Sequence, residues 1–131
     1  MEQKERDRVY GCLFGLAVGD ALGAPVEGLP REEVRNRFGR ITDMMGGGWL
    51  NLAPGDVTDD TELALAIVGA IKRSGCVDVD EIAKALIEWF KANPKDIGGQ
   101  TYEAIQALLS GVAPCGRFGW TLVAGWRGMV A

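Results

Sequence analysis

The chain has 131 residues, with 14 Lys and Arg against 18 Asp and Glu, a formal net charge of −4 and no histidine. That length suits one domain with its own core, and 47% apolar with 24% charged residues excludes a disordered chain. The acidic balance gives no electrostatic footprint for nucleic acid, and the missing histidines exclude Ser-His-Asp triads, Cys-His dyads and His-ligated zinc or iron.

A catalytic metal, if there is one, must therefore sit among carboxylate and hydroxyl oxygens, as Mg, Mn or Ca do. Cys12, Cys76 and Cys115 are odd in number and far apart, with no CxxC pair. They support neither a zinc knuckle nor a disulfide framework, and a reducing, cytoplasmic setting is the expectation.

In chain order, residues 4 to about 24 read as a first helix, with Val9, Leu13, Leu16 and Ala17 on one face. The start mimics a secretory signal, but Glu2, Glu5 and Asp7 cancel Lys4, Arg6 and Arg8. Its apolar run stops at Asp20, short of the roughly 20 residues of a membrane span, so no membrane partner is expected. Gly11, Gly15 and Gly19 form a stripe that predicts close approach of another backbone. Pro30 is expected at the first position of a short helix ending near Phe38.

Residues 39–57 show no period and carry Gly46-Gly47-Gly48 and Pro54-Gly55, which predicts an irregular loop. From Asp59 to about Arg73 the pattern is helical, with Leu63, Ile67, Ala70 and Ile71 apolar and Gly75 as a stop. Asp78 to Ala92 is a further helix, opened by Asp78 and Glu81 as a capping pair and followed by Pro94. Thr101 to Ser110 is the last, closed by Gly111. No stretch alternates at period two, so the expected fold is all-α, a compact helical domain over residues 1–111.

Residues 112–131 differ. After Glu103 there is no Asp, Glu or Lys, and Trp120 and Trp126 lie in a Gly-rich apolar tail. The expectation is a divergent tail, from truncation or a change of frame, that promotes self-association through exposed apolar surface.

Three groups of residues carry candidate chemistry. Asp56-Val57-Thr58-Asp59-Asp60-Thr61-Glu62 stands where the loop meets a helix; Asp59 and Glu62 make an ordinary capping box. Asp56, Thr58 and Asp60 exceed what one cap needs, and crowded carboxylates suit a hard cation. A cap and a metal site are about equally supported by this spacing. Asp20, with Glu27 after Gly23 and Pro25, reads as a solvated acid at a helix end. Asp96-Ile97-Gly98-Gly99-Gln100-Thr101 reads as a loop entering a helix.

Taken in order, GCLFGLAVGDALGAPVE, PGDVTDDTELALAI and DIGGQTYEAIQALLSG resemble the N-terminal half of the ADP-ribosylglycohydrolase family over about residues 8–111. That family includes dinitrogenase reductase-activating glycohydrolases and ADP-ribosylarginine and ADP-ribosylserine hydrolases. The resemblance implies an all-α fold, two Mg²⁺ or Mn²⁺ ions, and hydrolysis of the bond between ADP-ribose and a side chain or small molecule. It implies metal ligation by Thr58, Asp59 and Asp60, catalytic roles for Glu27 and Asp96, and ADP-ribose contacts at Gly98 and Gly99.

The family's second acidic cluster, an Asp-x-Asp-Thr, has no counterpart in these residues, so the isolated chain is expected to hydrolyse little. The alternative is a non-catalytic remnant or helical binding module that associates with another chain.

Overall fold

The computed structural model describes residues 2–114. Among them are five α-helices and one 3₁₀ turn, with no strand beyond a single isolated bridge, so the all-α expectation holds. The tail expectation falls mostly on residues 115–131, outside the described residues. Contacts divide the chain into two units at Glu62/Leu63, inside the third helix.

The first unit opens with α1, Gln3–Gly23, whose start is a capping box: Glu2 caps, and its backbone N–H donates to Glu5 Oε2 at 3.0 Å. Pro25 then bends the chain into a 3₁₀ turn, Ala24–Val26, that carries Glu27 at its end. Helix α2, Arg31–Phe38, follows. Pro30 is its cap rather than its first helical residue, with ψ at 141° outside the helical range. The Gln3–Val26 stretch is long and apolar enough to cross a membrane by length and composition, more than the run to Asp20 suggested. Asp20 is nonetheless bonded inside this unit, and length and composition alone assign the helix to no membrane.

The loop over residues 39–57 is irregular, as its glycines predict, but tightly made. Gly47 and Leu52 exchange both backbone hydrogen bonds, at 2.7 and 2.9 Å, and Asn51 N–H closes the turn on Gly48 C=O at 3.1 Å. Gly46, Gly47 and Gly48 all have φ between +68° and +91°. A Cβ on Gly46 would lie 2.6 Å from Leu52 C=O, and one on Gly48 would lie 2.9 Å from Pro25 Cα. Here, then, is the close backbone approach that the Gly11, Gly15 and Gly19 stripe led us to expect elsewhere. A Cβ at each of those three positions meets nothing within 4 Å among the described residues. The reason is visible on α1 itself, where Val9, Tyr10, Phe14 and Val18 are exposed.

Helix α3, Asp59–Ser74, runs from the first unit into the second and stops where Gly75 takes φ +76°. Helix α4, Val79–Lys91, is capped by Asp78, whose Oδ1 accepts from the N–H groups of Asp80 and Glu81 at 2.9 and 3.2 Å. The Glu81 carboxylate also takes Lys84 Nζ at 2.6 Å, and this bond with the nearby acids raises the Lys84 pKa. Helix α5, Gly99–Leu109, starts two residues earlier than expected, because Gly98 already accepts the Tyr102 N–H at 2.9 Å. Within this unit the buried apolar residues are mostly small: Ala70, Ala83, Ala85 and Ala104, with Leu86 and Ile105. Phe90 and Tyr102 meet edge to face at 5.8 Å and pin α4 on α5.

Gly48 gives the sharpest test of this architecture. Gly48→Ala combines a left-handed φ with a backbone clash at Pro25, and is expected to destabilise the chain by about 2 kcal/mol or more. Gly15→Ala, in open space on a helix, is expected to stabilise slightly. Urea denaturation of both variants checks the contrast.

Candidate functional site

The start of α3 is built by an acid that lies far away in sequence. Asp20 projects from the last turn of α1 and takes four hydrogen bonds from two threonines 38 and 41 residues on. Its Oδ1 accepts the Thr58 hydroxyl at 2.8 Å. Its Oδ2 accepts the Thr58 N–H at 2.9 Å, the Thr61 N–H at 3.3 Å and the Thr61 hydroxyl at 2.5 Å. Thr58 and Thr61 are 7% and 4% exposed, buried enough that losing these acceptors would leave them unsatisfied. A carboxylate at a helix N-terminus also meets the positive end of the macrodipole.

This corrects the capping assignment. Asp59 is the first helical residue of α3, not its cap. Thr58 caps: its C=O accepts the Glu62 N–H at 3.1 Å and its Oγ1 accepts the Asp60 N–H at 3.4 Å. The Asp20 carboxylate supplies the acid that a local capping box would have drawn from the helix. Asp20 itself is thereby moved from a solvated helix end to the centre of the site. The available signal was an acid breaking an apolar helix face, together with two threonines spaced one helical turn apart beside the acidic run.

Asp56 has a separate task. Its Oδ2 accepts the Ala53 N–H at 3.0 Å while its own N–H donates to Ala53 C=O at 3.0 Å, closing the turn through Pro54 and Gly55. Asp59 and Asp60 remain in the first turn of α3, half-buried and exposed respectively. With the Thr58 hydroxyl they offer only hard oxygens, a donor set that fits one side of a Mg²⁺ or Mn²⁺ shell.

Glu27 is exposed at the end of the 3₁₀ turn, its N–H held by Ala24 C=O at 3.3 Å. No group of three or more Asp, Glu, Cys or His is gathered for metal binding among the described residues, so Glu27 is not brought into one cluster with Asp59 and Asp60.

Asp96, Gly98 and Gly99 belong to the second unit. The Asp96 Oδ1 accepts the Ile97 N–H at 2.8 Å, which turns the chain into α5. Gly98 caps that helix with φ −62° and ψ 141°, an ordinary conformation, and a Cβ on Gly99 would meet nothing within 4 Å. Among the described residues nothing demands glycine at position 99, and the space beside it is open.

The chain matches the family model described as ADP-ribosylglycohydrolase over residues 1–127. It is 43% identical over 103 residues to the ADP-ribosyl-[dinitrogen reductase] glycohydrolase of Rhodospirillum rubrum, covering 79% of this chain and 35% of that protein. It is 34% identical over 115 residues to the ADP-ribosylarginine hydrolase Tri1 of Serratia proteamaculans, covering 82% and 30%. A solved structure described as an ADP-ribosylglycohydrolase-related protein complex superposes with a TM-score of 0.70 at 34% identity, covering 86% of this chain and 36% of that one. The chain thus spans about a third of the length of the relatives it matches.

Removing the acceptor should be felt at once. Asp20→Ala leaves two buried hydroxyls and two N–H groups without it and is expected to cost about 4 kcal/mol or more, against about 2 kcal/mol for Thr61→Val, by urea denaturation.

Proposed function

The chain belongs to the ADP-ribosylglycohydrolase family, and on that premise we propose that it supplies the N-terminal share of a metal-dependent site for hydrolysing ADP-ribosyl glycosidic bonds. The observation that carries this reading is the Thr58–Asp60 turn, a hard-oxygen donor set seated on Asp20 within the matched segment.

Hydrolysis at the anomeric carbon needs a water as nucleophile, a base for its proton and an acid for the leaving nitrogen or oxygen. Divalent ions would supply charge neutralisation and a more acidic water. Thr58, Asp59 and Asp60 would hold them. Glu27, exposed at the end of the 3₁₀ turn, is the candidate for the proton transfer. Asp96 is the second candidate acid, and Gly98 and Gly99 would admit the ribose and diphosphate to the backbone at the start of α5, where N–H groups face an anion favourably.

The substrate class is an ADP-ribosylated side chain or small molecule, and the setting a reducing cytoplasm. Charge limits what these residues do alone: Asp59 and Asp60 bring two negatives, whereas two divalent ions bring four positives and each wants about six oxygen ligands. Slow turnover by the isolated chain follows.

The exposed Val9, Tyr10, Phe14 and Val18 on α1 favour a second reading, a helical module that binds another chain or a second copy of itself without catalysis. Calorimetric titration with Mn²⁺ separates the two. The wild-type chain is expected to bind Mn²⁺, and Asp59→Asn with Asp60→Asn is expected to weaken binding at least tenfold. Release of ADP-ribose from an ADP-ribosylarginine substrate should stay near background. Identical, metal-insensitive titrations would favour the module, and rapid metal-dependent release would mean that other acids complete the shell.

A further inference from the structure

Resting on the cation site proposed above, we infer that Asp20 is a positioning residue for it: by holding the Thr58 hydrogen, Asp20 makes Thr58 Oγ1 an oxygen that can only accept. An ionised carboxylate has no hydrogen to give, so each hydroxyl bonded to it must be the donor. Thr58 Oγ1 lies 2.8 Å from Asp20 Oδ1 and Thr61 Oγ1 lies 2.5 Å from Asp20 Oδ2, and both hydrogens are spent there. What remains on Thr58 Oγ1 is lone-pair density, which among the described residues meets a long 3.4 Å approach from the Asp60 N–H.

A hydroxyl in that state is a ready ligand for a hard cation; one free to rotate spends part of its time presenting hydrogen to the ion. Asp20 is thus separated in role from Asp59 and Asp60: it orients a ligand and is not one. Its Oδ2 is filled by three donors, from Thr58 and Thr61. The two threonines are then unequal. Thr61 anchors the carboxylate, whereas Thr58 transmits its effect.

Asp20→Asn tests this without removing the side chain, because one end becomes an NH₂ that donates, and a threonine hydroxyl must turn to accept it. Free Mn²⁺ would be followed by electron paramagnetic resonance as the full chain is titrated, with circular dichroism and thermal melting on the same samples. Asp20→Asn and Thr58→Val are each expected to weaken Mn²⁺ binding tenfold or more, while Thr58→Ser stays within threefold of wild type. Thr61→Val is expected to lower the melting temperature yet remain within threefold in affinity.

Wild-type affinity in a folded Asp20→Asn overturns the inference, and so does a loss in Thr61→Val as large as in Thr58→Val. The latter comparison still decides if Asp20→Asn does not hold its helices. A wild-type chain that binds no Mn²⁺ overturns the cation site along with it. Weak binding confined to Asp59→Asn and Asp60→Asn overturns this inference alone.

Discussion

One carboxylate with nothing to donate organises the first unit. Asp20 can only accept, and it accepts from both the backbone and the side chain of Thr58 and of Thr61. Hydrogen bonds to a charged group are worth about 1.5–3 kcal/mol each, more than neutral ones, and burial of the two threonines keeps water from replacing them. The bonds fix where α3 begins and which way its first turn faces. Asp59 and Asp60 have their direction from that turn.

The loop between Asp20 and Thr58 is shaped to permit this meeting. Residues 46–48 follow a left-handed backbone that only glycine adopts freely, and Gly46 and Gly48 have no room for a Cβ beside Leu52 and Pro25. Asp56 then closes the last turn before the helix through Ala53. Packing and turn chemistry, rather than any regular element, carry the chain from the end of α2 to the start of α3. An irregular loop of this length in a family fold is thereby given a structural task as well as a place beside the site.

Much of the fold was legible in the residues, because helical periodicity and the signals at Asp78, Gly75 and Gly111 are local. All five helices were expected within about two residues of where they lie. The errors share one cause, that distant partners leave little mark on a local pattern. Asp59 followed three residues later by Glu62 is a credible cap until Asp20 takes the N–H groups of Thr58 and Thr61. Asp20 at the end of an apolar helix face looks solvated until its partners, 38 residues away, are known. The glycine stripe on α1 has the spacing of a packing face, yet the backbone contacts fall at Gly46 and Gly48, whose neighbours come from the loop and the 3₁₀ turn. Family resemblance supplied Thr58, Asp59, Asp60, Glu27 and Asp96 as a set. The arrangement adds a division of labour, with Asp56 closing a turn, Asp96 turning the chain into α5, and Asp20 holding the start of α3.

The most direct measurement is a crystal structure of the chain grown with Mn²⁺, with the ion located by its anomalous scattering. A peak is expected bonded to Thr58 Oγ1 and to Asp59 or Asp60, with Asp20 still taking all four hydrogen bonds from Thr58 and Thr61 and making no bond to the metal. Mn²⁺ bound directly by Asp20, or found at this turn with the Thr58 hydroxyl released from Asp20, would contradict it.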